Sequence, residues 1–109
     1  MVIAFDYHET ITRNEKLFKQ MALGLRSLGI PVFIISAIKI PSADGSEKLR
    51  RECKVPNDGV EIVYFKDYGE IAELKLKACK RYSVTLMFDD SEAVCRLLAK
   101  NGILTAQVR

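Results

Sequence analysis

The sequence predicts an α/β fold in which a mostly parallel, five-stranded sheet lies between two layers of helices. Three observations predict it. Five short runs read as strands, and two of them, Val2 to Phe5 and Val32 to Ile35, are continuously apolar, which marks burial on both faces. Each run but the last is followed by a stretch with helical spacing or a capping residue, giving the order β-α-β-α-β-α-β-α-β. The chain has 109 residues and no repeat, linker or low-complexity tract, so one domain spanning 1–109 is expected.

The elements follow in order. Val2 to Phe5 is a buried strand that ends in Asp6, and Glu9 to Asn14 is a polar loop. Asn14 caps a helix from Glu15 to about Leu28, with Gly29 as its stop. Leu17, Phe18, Met21, Leu25 and Leu28 form its apolar stripe. Val32 to Ile35 is the second strand, with Ser36 at its end, and Ile38 to Gly45 is a loop. Ser46 caps a short helix to about Cys53, and Asn57-Asp58-Gly59 is a turn. Val60 to Phe65 is the third strand, with Lys66-Asp67 at its end.

Tyr68 to Leu74 reads as either loop or helix. Lys75 to Tyr82 is helical, with a start as early as Glu70. Val84 to Phe88 is the fourth strand, ending in Asp89-Asp90. Ser91 caps a helix from Glu92 to about Lys100, which Asn101-Gly102 terminates, and Leu104 to Val108 is the last strand. Tyr64, Phe65 and Tyr68 are read as core packing in preference to a stacking patch for a base. The whole is a Rossmann-like three-layer domain.

Bulk properties narrow the function. The net charge of +3, from 17 basic and 14 acidic residues, suits a small anionic substrate and is too mild to argue for nucleic acid. Cys53, Cys79 and Cys95 are odd in number with no CxxC spacing, so reduced thiols are expected rather than disulfides or zinc. Asp6 interrupts any signal-peptide core, and no apolar run approaches membrane-spanning length. A cytoplasmic location without membrane association is expected.

In open parallel sheets, ligands bind outside the carboxyl ends of the strands. Asp6, Ser36, Lys66 and Asp89-Asp90 all fall there. Carboxylates that converge on one point repel unless a cation joins them, and hard oxygen ligands favour Mg²⁺.

The segment Ile3-Ala4-Phe5-Asp6-Tyr7-His8-Glu9-Thr10-Ile11-Thr12 resembles the first motif of the haloacid-dehalogenase-like phosphatases, a hydrophobic strand followed by Asp-x-Asp-x-Thr. Val32 to Ser36 resembles their second motif. The stretch from Lys75 to Asp89-Asp90-Ser91, a helix-opening Lys followed by a strand and paired carboxylates, resembles the third and fourth run together. The resemblance covers nearly the whole chain and shows no cap insertion, so it implies a capless member.

The resemblance implies a Mg²⁺-dependent phosphohydrolase that works through an aspartyl-phosphate. In it, Asp6 is the nucleophile. Ser36 and Thr10 serve the phosphoryl group, and Lys75 neutralises that group and Asp6. Lys66 is the alternative to Lys75. Asp6, the backbone carbonyl of His8, Asp89 and Asp90 hold the Mg²⁺. The general acid is the departure, because position 8 is His where these phosphatases carry a second Asp. Imidazole can transfer protons near neutrality, but it is bulkier and carries charge of the opposite sign.

The substrate expected is a small phosphate ester or a phosphorylated macromolecular terminus. An open site also suits a second copy of the chain as a lid. Two alternatives stand beside the enzyme. One is a non-catalytic phosphate- or partner-binding domain. The other is a nucleic-acid-associated module using the basic helix from Lys75 to Arg81.

Overall fold

In a computed structural model, which describes residues 1–109, the apolar runs pair into one sheet and the helical stretches cover both of its faces. The strands are β1 (Ile3–Phe5), β2 (Val32–Lys39), β3 (Gly59–Phe65), β4 (Leu86–Asp89) and β5 (Leu104–Gln107). The helices are α1 (Glu15–Ser27), α2 (Gly45–Glu52), α3 (Ile71–Arg81) and α4 (Glu92–Lys100). Short 3-10 turns occupy Ile11–Arg13 and Tyr68–Glu70. Every strand pair is parallel, in the order β3-β2-β1-β4-β5. The fold is Rossmann-like: the chain winds outward from β1 to β3, then crosses back to build β4 and β5 on the other side. The crevice at the carboxyl ends of β1 and β4 lies at this reversal.

Alternation along the strands sends side chains to two separate cores. Ala4, Ile35, Val63 and Met87 pack against Leu76 and Cys79 of α3 and Val94 and Leu98 of α4. On the other face, Ile3, Phe5, Val32 and Ile34 pack against Phe18 and Ala22 of α1 and Leu49 of α2. β1 is wholly buried because it has neighbours on both edges and helices on both faces.

Helix boundaries follow local chemistry. The Asn14 side chain accepts from the Leu17 N–H and the Ser91 side chain from the Val94 N–H, so both satisfy an orphan donor at a helix start. Gly29 and Gly102 take positive φ, 77° and 81°, just past the ends of α1 and α4.

Five expectations need correction. β2 continues to Lys39, because β3 pairs with it from Phe33↔Gly59 to Lys39↔Phe65, so Ser36 lies mid-strand and not at an end. α2 starts at Gly45 with Asp44 in the cap position; the Ser42 hydroxyl accepts the Gly45 N–H at 3.0 Å, and Ser46 lies inside the helix. Lys75 does not open a helix, since α3 begins at Ile71, directly after the 3-10 turn. On α1, Phe18 and Ala22 are buried and Met21 and Leu25 pack half-buried against the core, while Leu17 and Leu28 of the expected stripe are exposed. Among the aromatics, Phe65 is core, but Tyr64 and Tyr68 are exposed.

All three cysteines are free, with Cys79 and Cys95 buried. No helix is long and apolar enough to cross a membrane.

Candidate active site

The crevice is built from the first residues past β1, the end of β4 and the inner face of α3. Asp6 follows β1 directly, and its N–H donates to the Phe88 carbonyl at 2.8 Å, which holds its backbone against β4. Alternation puts its side chain on the same face as Ala4, under α3. Asp89 ends β4, and its Oδ1 accepts the Ser91 N–H at 2.9 Å as α4 begins. Lys75, one turn into α3, reaches between them: its Nζ lies 2.8 Å from Asp6 Oδ1 and 2.6 Å from Asp89 Oδ2. Thr10 Oγ1 donates to Asp6 Oδ2 at 3.2 Å. The three charged groups are almost fully buried, Asp6 at 4%, Lys75 at 3% and Asp89 at 0% exposed.

Burial of charge on this scale is stable only when the charges are paired. Burial raises the Asp6 carboxyl to about 7; Lys75 opposes the rise and the Asp89 charge adds to it. Asp89 is raised as well, by burial, against the pull of Lys75. On Lys75, burial pulls downward, but Asp6 and Asp89 together outweigh it and the ammonium is held above its ordinary value.

Asp90 joins this group. One oxygen each of Asp6, Asp89 and Asp90 lie within 4.8 Å of one another. With all three carboxylates ionised, the single ammonium leaves a deficit of two positive charges. A divalent cation with a preference for hard oxygen would meet that deficit, and the donor set fits Mg²⁺ better than a softer metal.

The cleft above these groups has a volume of about 490 Å³. His8 and Glu9 line it beside the carboxylates; Ala37, Phe65, Tyr68, Ile71 and Ala72 form much of the rest. His8 is exposed, and its ring packs edge-on against Tyr7 at 5.1 Å. Partial desolvation, then the Lys75 ammonium, lowers its pKa from the ordinary imidazole value. Glu9 holds a left-handed backbone, φ 62°, in the tight turn that brings Thr10 back to Asp6.

Not every expected residue converges. Asp6, His8, Lys75, Asp89 and Asp90 do, all lining the cleft. Thr10 touches Asp6 from beneath without lining the cleft. Ser36 is buried with an unpartnered hydroxyl. It alternates with Ala37, which does line the cleft, and so lies on the opposite face of the sheet with Ile34. Lys66 is exposed and off the cleft lining, its backbone N–H given to Glu70 Oε1 at 3.2 Å. Between the two lysines, Lys75 is the one at the carboxylates. On the basic helix, Arg81 is taken up by an ion pair with Glu61.

The apolar wall from Phe65 to Ala72 had no signal at the level of motif. Phe65 ends β3, Tyr68 opens the 3-10 turn, and Ile71 and Ala72 begin α3, the last three within the stretch from Tyr68 to Leu74 where the pattern fits neither loop nor helix cleanly. No family model and no curated protein matches the chain.

Proposed function

We propose that the chain is a capless, haloacid-dehalogenase-like phosphohydrolase that uses Mg²⁺ and passes through an aspartyl-phosphate on Asp6. One observation carries this reading: a buried ammonium, Lys75, bridges the nucleophile candidate Asp6 and the metal-ligand candidate Asp89, with Asp90 completing the carboxylate set. A purely structural role would not need three carboxylates at the mouth of a cleft.

Asp6 attacks phosphorus, the bond from phosphorus to the leaving oxygen breaks, and that oxygen departs with the electron pair. Lys75 and Thr10 hold the Asp6 carboxylate by one oxygen each, so the attacking group is oriented before substrate arrives. Lys75 also offsets charge gathering on the phosphoryl oxygens. Asp6, Asp89, Asp90 and the His8 backbone carbonyl would hold Mg²⁺, which would add positive charge there. Water then attacks the phosphorus of the acyl-phosphate, releasing inorganic phosphate and restoring Asp6. The leaving oxygen draws its proton from His8 or from water. Ser36 takes no part, since its hydroxyl is on the far face of the sheet.

The lowered pKa of His8 keeps most of the imidazole neutral at pH 7, which makes it a poor proton donor. That observation favours a second reading, a phosphate-binding domain with little turnover. p-Nitrophenyl phosphate separates the two. The expected result is Mg²⁺-dependent release of nitrophenolate that Asp6→Asn reduces to background while the fold is retained. Turnover at the wild-type rate by Asp6→Asn overturns the covalent mechanism, and no turnover by the wild type favours the binding role.

A further inference from the structure

The cleft is far larger than a phosphoryl group and its cation require. At about 490 Å³ it is the size of sites that enclose a whole small molecule, so the leaving group of a phosphate ester would lie inside it. What the leaving group would meet is mostly apolar. Beyond the charged groups, His8 and Ser91, the cleft is walled by Ala37, Phe65, Tyr68, Ile71 and Ala72. Among these, only the Tyr68 hydroxyl can hydrogen-bond through its side chain. A polyol placed here would lose water from its hydroxyls with little in return, which disfavours sugar esters.

Tyr68 is built as a platform. It is 67% exposed, yet its backbone is fixed. It opens the Tyr68–Glu70 turn, whose start is closed reciprocally: Asp67 accepts the Gly69 N–H at 3.0 Å and Glu70 Oε1 accepts the Asp67 N–H at 2.8 Å. Its ring rests on the buried Phe65 at 5.1 Å between centroids, and the Lys39 ammonium lies 4.9 Å from its centre. An exposed, supported aromatic ring at the edge of a cleft offers a face for another flat ring.

The geometry points to an aryl phosphate, a phenolic monoester whose ring packs on Tyr68 while its phosphoryl group sits at Asp6 and Lys75. This rests on the phosphohydrolase reading and names its substrate class.

Binding of non-hydrolysable phosphonates, read by calorimetry in Mg²⁺ buffer, tests it on the full chain. Phenylphosphonate should bind about tenfold tighter than methylphosphonate, and tighter than cyclohexylphosphonate, which matches its size without its flatness. Tyr68→Ala should bring the phenyl-to-methyl ratio close to one, and Tyr68→Phe should preserve it. An unchanged ratio in Tyr68→Ala overturns the assignment. So does cyclohexylphosphonate binding as tightly as phenylphosphonate, or adenosine 5′-monophosphate depending on Tyr68 more strongly than phenylphosphonate does. Asp89→Asn isolates the underlying reading. If phenylphosphonate binding depends on Tyr68 but not on Asp89, the aromatic platform stands and the phosphoryl site falls.

Discussion

The Lys75 ammonium donates to two carboxylates that the fold has already stripped of water, and its removal would leave like charges facing each other in the interior. Lys75→Met should therefore cost about 3–5 kcal/mol in metal-free buffer, measured by urea unfolding, and added Mg²⁺ should return part of the loss. The raised Asp6 pKa has a definite sign. The unfolded carboxyl titrates near 3.8 and the folded one near 7, so between these values the folded state binds the extra proton. Stability fully present below about pH 4 should be lost as pH rises through about 7, and the Asp6→Asn variant should show a smaller slope in thermal melts with chelator, the remainder coming from Asp89. His8 predicts a split by leaving group: His8→Ala should slow alkyl phosphates much more than aryl phosphates, and His8→Asp should raise turnover of the alkyl class. Equal effects on both classes would remove His8 from proton transfer. Asp6 and Asp89 were legible in the sequence because a charged residue at the end of an apolar strand has few places to go, whereas Lys75, inside a helix, was singled out only by the family resemblance. Ser36 was misread for a related reason: the end of a strand is set by its neighbour, and the pairing of β2 with β3 carries Ser36 three residues inside β2.

Elements were legible where a single side chain decides a boundary. Asn14 and Ser91 were identifiable as caps because an accepting side chain before a helical pattern has one common use, and both make that bond. Asn14→Ala should cost about 1 kcal/mol, seen as a lower urea midpoint with an unchanged slope. The start of α3 was legible only as a range from Glu70 to Lys75, within which the helix begins at Ile71. From Tyr68 onward the backbone first makes a 3-10 turn and then an α-helix, so the spacing of side chains changes period within a few residues and neither template fits. The start of α2 was misplaced because Ser42, Asp44 and Ser46 are all capable caps, and only three-dimensional closure selects among them. The turn between β1 and the Ile11–Arg13 segment predicts a gain of stability instead of a loss. Glu9 sits at φ 62°, which costs a side-chain-bearing residue about 1–2 kcal/mol, and its exposed bond to Arg13 contributes little. Glu9→Gly should stabilise the chain by somewhat under that amount in urea unfolding, since glycine also loosens the unfolded state.

At the scale of the molecule, the alternation of elements made a parallel sheet legible, while the strand order was a matter for tertiary packing. No strand pairs with another through a hairpin, because every neighbour is parallel and reached by a crossover. Such pairings require loop closure before any contact rewards it, so refolding should be slow for a chain of this length, in milliseconds to seconds by stopped flow. Protection from hydrogen exchange should be greatest in β1 and the strands beside it and least in β5, an edge strand with Leu104 exposed. The bridging ammonium also constrains how the chain can drift over generations. Losing Lys75 alone strands two anions, and losing either aspartate alone leaves the lysine half-matched. Only a concerted swap to neutral side chains escapes both penalties, so single changes at Asp6, Lys75 or Asp89 give chains less stable than this one. A lineage that had stopped using the cleft would still be held on its charged centre by a stability valley, and the triad would persist as a relic enforced by folding.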